Sequence, residues 1–239
     1  MNIKMVIEYD GHNYYGWQKQ LSKPTIQGTI EQALAKILGE KVKIIGASRT
    51  DAGVSALAQV ANCQITTKAN FDLEKLTKSI NALLPKDIYI KSISRVKDGF
   101  NARRDAKSKI YTYTIITSPS PLRGYFAWCV PYQLDVKKMR EGAKLFIANR
   151  NYADFCAERK NGLVAIKKIT INRKSDTITI SIEANRFLYK MVRRIVGALV
   201  EIGRAHRELE DIQNALKGKK HRPLICAPAQ GLILSKVKY

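Results

Sequence analysis

The chain has 239 residues, 45% of them hydrophobic, which is typical of a folded protein and excludes a disordered one. This length is enough for a substantial core in one domain or in two small ones. Lysine and arginine number 42 against 20 acidic residues, a formal net charge of +22. Such a field attracts polyanions, because binding phosphates releases condensed counterions. Nucleic acid is the leading predicted partner, and an anionic membrane surface is the weaker alternative.

The first half of the chain is predicted to contain four strands and two helices. Apolar runs and alternation predict the strands Ile3–Tyr9, Val42–Gly46, Leu57–Ile65 and Ile88–Ser94. Apolar residues at helical spacing predict one helix over Ile26–Leu38, ended by Gly39. A second helix is predicted over Leu73–Leu83, with Asp72 as its N-cap and Pro85 just beyond its end. The predicted order is β-α-β-β-α-β.

The second half repeats this order of elements. The predicted strands are Lys109–Thr117, Ala165–Ile171, Thr177–Ala184 and Leu232–Val237, the middle two forming a hairpin. The predicted helices run from Val136 to Ile147 after Asp135, from Leu188 to Ile202 before Gly203, and around Leu209–Leu216. We therefore expect an α+β protein of two ferredoxin-like (β-α-β-β-α-β) halves with a joined mixed or antiparallel sheet. A polar stretch at Val96–Gly99 divides it into residues 1–97 and 98–239.

Cysteine and histidine usage indicates neither a metal site nor a disulfide framework. The four cysteines and three histidines are scattered, with no CxxC pair and no Cys/His cluster. The chain starts directly on an apolar run without the pattern of a signal peptide, and no apolar run approaches membrane-spanning length. We expect a cytoplasmic protein with no membrane attachment.

The candidate for chemistry in the first half is Asp51, which lies beside Arg49 in a glycine-bounded turn between two predicted strands. A turn held by strands can project side chains into a cleft, and a nearby cation favours the ionised carboxylate. The alternative is a turn aspartate that bonds its own backbone before Gly53, with Arg49 as a surface charge. No P-loop, GxGxxG, HExxH or Ser/His/Asp signature is present. An enzyme of this sequence would depend on Asp51, in a reaction that needs no metal or redox cofactor.

Two features of the second half carry similar alternatives. Tyr111 lies on a predicted strand, where its ring suits either stacking on an unpaired base or core packing opposite Ile115. Arg193 and Arg194 interrupt an otherwise apolar helix, and an unpaired buried guanidinium is very costly. One of the two must therefore leave the core or find an acidic partner. For Arg194 we predict a solvent-facing position.

Two loops are candidates for RNA contacts. The basic loop Lys217–Arg222 is suited to binding phosphates, although a solvated charge run is nearly as common. The aromatic loop Tyr14–Trp17 offers rings for stacking on RNA, although such loops fold back onto the core at least as often.

Six segments in order along the chain resemble the TruA-type tRNA pseudouridine synthases. They are Tyr9–Gln20, Thr25–Leu34, Arg49–Val54, Phe100–Arg103 with Tyr111–Tyr113, Met191–Gly197 and Ala227–Leu232. The resemblance implies two similar α+β halves with a central cleft. It also implies isomerisation of uridine to pseudouridine in the anticodon stem-loop of tRNA, by a homodimer that uses no cofactor and no metal.

The resemblance also implies roles for five residues. Asp51 corresponds to the catalytic aspartate, and Tyr111 to the tyrosine that stacks on the target uracil. Arg193 corresponds to the partner of that aspartate, and Arg49 to the arginine that fills the space of the flipped base. Leu232 corresponds to an apolar residue packed against the uracil.

The chain departs from the family pattern at Ser55, where many bacterial members have histidine, and at Ala58, where glycine is usual. The region Asn149–Gly162 is short and basic compared with that pattern, so tRNA contacts there stay open. The main rival is a non-catalytic RNA-binding protein of two RRM-like halves, but no RNP-type aromatic segment is present and Asp51 would have no task. A related synthase acting on another RNA site is the third interpretation.

Overall fold

The computed structural model describes residues 1–66, 72–158 and 162–239, which contain both strands and helices along their whole length. These residues form two compact units, Met1–Lys107 with Leu234–Tyr239, and Ser108–Ile233. Each unit combines helices with β-strands, and both antiparallel and parallel strand pairs occur. The predicted α+β class with mixed strand pairing is therefore confirmed.

The first unit is built on a sheet of long antiparallel strands. Its elements are β1 (Asn2–Tyr9), α1 (Ile26–Leu38), β2 (Ile45–Gly46), β3 (Ser55–Gln64), α2 (Leu73–Leu83) and β4 (Ile88–Val96). The strand order is β4-β1-β3, with β1 antiparallel to both neighbours and β2 paired to β3. The predicted order β-α-β-β-α-β is confirmed.

Both helices of this unit have the ends that the sequence predicts. Thr25 caps α1 by accepting a hydrogen bond from the Gly28 N–H, and Gly39 ends the helix in the left-handed region at φ 69°. Asp72 caps α2 by accepting from the N–H groups of Glu74 and Lys75. These boundaries are therefore set by contacts between residues that are close in sequence.

Strand β2 is shorter than the predicted Val42–Gly46, because α1 binds the backbone in front of it. The Ile44 N–H donates to the Glu31 carboxylate at 3.1 Å, and the Gln27 amide donates to the Ile44 carbonyl at 3.2 Å. Only Ile45–Gly46 pairs with β3. Side chains of the helix thus replace the strand ladder at Ile44.

The second unit has more and shorter elements. They are β5 (Ser108–Ile116), α3 (Pro121–Gly124), β6 (Trp128–Cys129), α4 (Val136–Lys144), β7 (Asn149–Asn151), β8 (Leu163–Lys174), β9 (Thr177–Ala184), α5 (Met191–Gly203) and α6 (Leu209–Leu216). The last strand, β10 (Leu232–Lys238), has only its first two residues in this unit. The strand order is β5-β9-β8-β7, with β6 parallel to β5. The predicted long strands and three helices are confirmed, whereas α3, β6 and β7 are too short for a periodic signal.

Two helices of the second unit differ from their predicted bounds. Helix α5 begins at Met191 rather than at Leu188, because Lys190 has a left-handed backbone at φ 58° and cannot continue a helix. Helix α4 ends at Lys144, before the predicted Ile147. No helix of the described residues is long and apolar enough to cross a membrane.

The chain returns to the first unit at its C-terminus. From Leu234 onward β10 belongs to that unit, where the Lys238 carbonyl accepts a hydrogen bond from the Lys107 N–H at 2.8 Å. The Tyr239 hydroxyl donates to the Ala102 carbonyl at 2.8 Å, and its ring contacts that of Phe100. These bonds tie the last residues to the chain segment that leaves β4.

Candidate active site

Asp51 begins a hydrogen-bonded turn in the first unit. Its carbonyl accepts a hydrogen bond from the Val54 N–H at 3.1 Å, and Gly53 has a left-handed backbone at φ 76°. The side chain of Asp51 is half-buried. The backbone of Asp51 therefore makes the predicted turn, which a backbone hydrogen bond closes.

Two glycines let the chain after β1 lie directly against this turn. A Cβ built on Gly16 would lie 2.6 Å from the Thr50 carbonyl oxygen, and one built on Gly11 would lie 2.2 Å from the Val54 carbonyl oxygen. Neither approach is possible for a residue with a side chain. The segment Tyr9–Gln20 and the Asp51 turn therefore form one structural element.

Buried aromatic residues of the same segment hold the residue before Asp51. The Trp17 N–H donates to the Thr50 carbonyl at 3.1 Å, and the hydroxyls of Tyr9 and Thr50 share a buried hydrogen bond of 2.7 Å. Trp17 is buried, as is Tyr14, whereas Tyr15 is half-exposed beneath the Lys23 ammonium. In the loop Tyr14–Trp17, the rings of Tyr14 and Trp17 therefore pack in the core, and only that of Tyr15 is open to solvent.

Arg49 is exposed, and its neighbour Ser48 is clamped from below by a fully buried amide. Gln59 on β3 accepts a hydrogen bond from the Ser48 N–H at 3.2 Å and donates to the Ser48 carbonyl at 2.7 Å. Both bonds act on the backbone of Ser48, so Gln59 fixes the chain directly before Arg49. Gln59 was not among the residues predicted for the site, although a glutamine at a buried strand position is an available signal.

The departure at Ser55 has a clear structural role. Its hydroxyl accepts a hydrogen bond from the Gly11 N–H at 3.0 Å and donates to the Asp10 carboxylate at 3.4 Å. The same carboxylate accepts a hydrogen bond from the His12 N–H at 3.0 Å. Ser55 therefore joins the end of the Asp51 turn to the segment after β1. Ala58 is half-buried on β3, and the structure gives it no special role.

In the second unit, Tyr111 lies on the buried face of β5. It is opposite Ile182 of β9, is 4% exposed, and meets the Phe187 ring edge-on at 5.1 Å between centroids. Tyr113 follows on the same face, and its hydroxyl donates to the Pro228 carbonyl at 2.8 Å. Burial raises the pKa of Tyr113 well above its usual range, so this hydroxyl keeps its proton.

Arg193 is bound to the segment that precedes β10. Its Nε donates to the Ala227 carbonyl at 2.7 Å, and the Ala227 N–H donates to the Arg193 carbonyl at 3.1 Å. One helical turn further, a Cβ built on Gly197 would lie 2.3 Å from the Ile225 carbonyl oxygen. Arg193 and Gly197 therefore lie on one face of α5, and this segment packs on that face.

The same segment positions Leu232. A short 3-10 turn, Ala229–Gly231, leads into β10, and a Cβ built on Gly231 would lie 2.7 Å from the Tyr113 ring. Leu232 follows at once and is 5% exposed. The described second unit thus links Arg193, the Tyr113 hydroxyl and Leu232 through residues 225–232.

Arg194 corrects one prediction. Its guanidinium does not face solvent but donates to the carbonyls of Asp154 and Cys156 at 3.0 and 2.8 Å. Backbone oxygens next to the 3-10 turn Ala153–Phe155 replace the water that a surface arginine would bind. Arg194 therefore supports the fold. Residues 159–161 of the predicted basic region Asn149–Gly162 lie outside the described residues.

The basic loop Lys217–Arg222 is exposed apart from His221, which is half-buried. The Arg207 side chain, 1% exposed, bonds the Glu201 carboxylate at 3.0 Å and the carbonyls of Arg222 and Pro223 at 3.2 and 2.7 Å. A buried arginine thus fixes the base of this loop. Among the described residues, no group of three His, Cys, Asp or Glu side chains is arranged to hold a metal ion.

The structure therefore places the predicted residues in two sets. Asp51 and Arg49 lie in one turn of the first unit, and Tyr111, Arg193 and Leu232 lie around one buried strand and one helix of the second. An α+β fold with a single aspartate in a glycine-seated turn is consistent with the class of pseudouridine synthases.

Comparison with known proteins defines this class more narrowly. A family profile described as "tRNA pseudouridine synthase" matches residues 5–103 and 143–239. The chain is 40% identical over 244 residues to "tRNA pseudouridine synthase A" of Thermoanaerobacter sp. (strain X514), covering 100% of this chain and 99% of that protein. The protein of the same name in Acetivibrio thermocellus is 39% identical with the same coverage, and that of Dictyoglomus thermophilum is 40% identical with 100% of both chains covered. The chain belongs to the tRNA pseudouridine synthase family.

Proposed function

We propose that this chain isomerises uridine to pseudouridine in the anticodon stem-loop of tRNA, with Asp51 as the catalytic residue. The observation that carries the proposal is the turn Asp51–Val54, which is held on Gly16 and Gly11 and presents one half-buried carboxylate. The relatives named tRNA pseudouridine synthase A are matched over 99% and 100% of their length, and the match covers all of this chain. Their names support tRNA as the substrate.

The reaction that we propose is balanced without any external reagent. The bond between uracil N1 and ribose C1′ breaks, the base turns while it is held, and a bond forms between C5 and C1′. C5 then loses a proton and N1 gains one, so no atom or electron is exchanged. A carboxylate can serve this sequence as nucleophile, as base or as electrostatic partner. We therefore propose that neither a metal nor a cofactor takes part.

The other predicted residues have supporting tasks in this proposal. Arg193 is the cationic partner of Asp51, because a guanidinium next to a carboxylate favours its ionised form. The Arg193 Nε is bonded to the Ala227 carbonyl, and the rest of the guanidinium carries the proposed role. Tyr111 stacks on the uracil and Leu232 packs against it, and both are set on rigid strands.

Arg49 takes the space that the flipped base leaves. Extrusion of a base from a stem costs about a few kcal/mol in unstacking and unpairing. Arg49 is exposed on a backbone that Gln59 clamps, so an inserted guanidinium would be held by the sheet. The net charge of +22 supports binding of a large RNA.

We further propose a cytoplasmic homodimer whose halves, residues 1–97 and 98–239, carry the aspartate and its partners respectively. The resemblance of the sequence to the family supports the dimer and the location. Analytical ultracentrifugation at assay concentrations would show a dimer mass. A monomer that retains full activity would contradict the dimer.

The experiment that tests the function uses unmodified tRNA transcripts with the purified protein. Pseudouridine is mapped by carbodiimide-dependent primer extension, and a transcript with cytidine at the anticodon-stem uridines is the control. We expect stops at uridines of the anticodon stem-loop alone. RNA binding without product would favour the RRM-like binding protein, and product in another RNA only would favour a synthase of different site choice.

A further inference from the structure

The segment that leaves β4 carries two adjacent exposed arginines, Arg103 and Arg104. Neither guanidinium has an ion-pair or hydrogen-bond partner within the ranges that the structure describes. Two neighbouring cations repel each other, and long exposed side chains alone do not define a site. The backbone that carries these two arginines is, however, held in place by several hydrogen bonds.

The base of the loop is bonded to two buried asparagines of the sheet. The Asn2 amide, on a residue 1% exposed, donates to the carbonyls of Lys97, Asp98 and Phe100 at 3.1, 3.3 and 2.9 Å. Asn62 on β3 donates to the Asn2 side-chain oxygen at 3.1 Å and accepts from the Ala102 N–H at 2.8 Å. These side chains sit in strands and bind loop backbone, so they fix the loop rather than the sheet.

The tip of the loop is fixed by Asn101. Its side-chain oxygen accepts hydrogen bonds from the N–H groups of Arg103 and Arg104, each at 3.0 Å. Its own N–H donates to the Asp105 carboxylate at 2.9 Å, so the nearest acid is bonded to the backbone. The arrangement is an asparagine-capped turn that directs two successive arginines outward from a preset backbone.

The residues just before this arginine pair and those just before the Asp51 turn pack in the same apolar cluster. Ala47, Val60 and Ala102 form one buried apolar cluster, against which Phe100 packs. Ala47 comes two residues before Arg49 and donates its N–H to the Val60 carbonyl at 2.7 Å, and Ala102 directly precedes Arg103. The cluster therefore seats both the catalytic turn and the arginine loop on the same part of the first unit.

We propose that Arg103 and Arg104 form a phosphate clamp that binds the RNA backbone beside the nucleotide delivered to Asp51. A guanidinium presents a planar fork of donors that matches a phosphate in two bonds, which a lysine cannot do. A loop held in advance loses little conformational entropy on binding. The proposal rests on the proposed function and names the part of the protein that orients its RNA.

The test compares R103A/R104A with K75A/K78A, a control that removes the same two charges from the exposed face of α2. Each arginine that donates charge-assisted hydrogen bonds to a phosphate is worth about tenfold in affinity. We expect the KM for tRNA to rise between tenfold and about a hundredfold in R103A/R104A, with kcat within about twofold of wild type. The slope of the logarithm of the tRNA association constant against the logarithm of the salt concentration should become shallower by about one to two.

The proposal would be overturned if K75A/K78A showed the same rise in KM and the same shallower salt dependence. Both effects would then come from the net charge of the protein rather than from these two arginines. An unchanged KM and salt slope in R103A/R104A would overturn it as well. Asn101 is a positioning residue, so N101A should raise KM by about threefold and N101S, which keeps an acceptor, should restore it. If the wild type forms no pseudouridine, the proposed function fails. Filter binding to the same tRNA, with the same salt series, then still decides whether these arginines bind phosphate.

Discussion

Gly16 lies directly against the backbone of Asp51. A Cβ built on Gly16 would be 3.1 Å from the Asp51 carbonyl carbon and 2.6 Å from the Thr50 oxygen, and the Gly16 backbone has φ 87°. A segment that contains no catalytic side chain thus determines where the carboxylate stands. Precise placement matters, since small displacements of a catalytic group can cost about a hundredfold in rate.

Replacing Gly16 by alanine should therefore displace the Asp51 turn. We expect G16A to lower kcat by at least about tenfold, because its Cβ meets backbone that cannot yield cheaply. Gly39 has a similar backbone at φ 69° with open space around it, so G39A provides the matched control. G39A should lose only about 1 kcal/mol of unfolding free energy and keep its kcat. Equal effects of both variants on kcat would contradict the role of Gly16.

The clamp on Ser48 can be removed without touching a predicted site residue. Gln59→Leu leaves the N–H and the carbonyl of the partly buried Ser48 without their partner, at up to about 1–3 kcal/mol for each group. We expect a clearly lower free energy of unfolding, measured with urea, and a lower kcat, because the backbone before Arg49 is then no longer held. Gln64→Leu, at an exposed position of the same strand, is the control and should leave kcat unchanged. A normal kcat in Q59L would mean that the clamp has no part in the reaction.

Gly197 should tolerate no side chain. Its Cβ would lie 2.3 Å from a backbone oxygen of Ile225, so G197A must push away the segment that Arg193 binds. We expect at least about 2 kcal/mol of destabilisation together with reduced kcat. The control G203A lies on the same helix but meets the flexible Met139 side chain at 2.9 Å, and should lose less than half as much. The prediction is wrong if the two variants unfold at the same urea concentration.

Stability should fall at alkaline pH through Cys63. Burial, with help from Glu40 and Glu31, raises the pKa of this thiol from 9.0 to about 12. Between these values the unfolded chain loses the proton while the folded chain keeps it, so the free energy of unfolding decreases as pH rises. Below pH 9 the contribution is fully present and constant. Above pH 9 the free energy of unfolding of the wild type should fall by up to about 1.4 kcal/mol more per pH unit than that of C63A. Urea unfolding at pH 8 and 10 measures this difference. Parallel pH profiles would contradict this assignment.

The parts of the fold that the sequence predicts best are those whose limits are set locally. Asp72 and Pro85 bracket α2, and Gly39 ends α1, because capping depends only on neighbouring residues. The start of α5 was wrong, since the left-handed Lys190 has no signal in the hydrophobic pattern. The length of β2 depends on bonds from α1, which no local pattern contains.

The candidate site shows the same division. Asp51 stands out in the sequence because it lies in a predicted turn, and the structure forms that turn at the same residues. The seat of that turn depends on Gly16 and on Gln59, which are separated from it along the chain and act through backbone contacts. The position of Arg194 depends on carbonyls of a loop that precedes it by about forty residues. Such contacts follow from tertiary packing, so periodicity does not predict them.

The most direct test of the account is the Asp51→Asn variant. Asparagine keeps the size and the turn, so circular dichroism and tRNA affinity should match those of the wild type, while the ionisable carboxylate is gone. Both proteins are incubated with unmodified tRNA, and pseudouridine is measured by carbodiimide-dependent primer extension. We expect pseudouridine at the anticodon stem-loop with the wild type and none with D51N. Undiminished product from a folded D51N protein would contradict it.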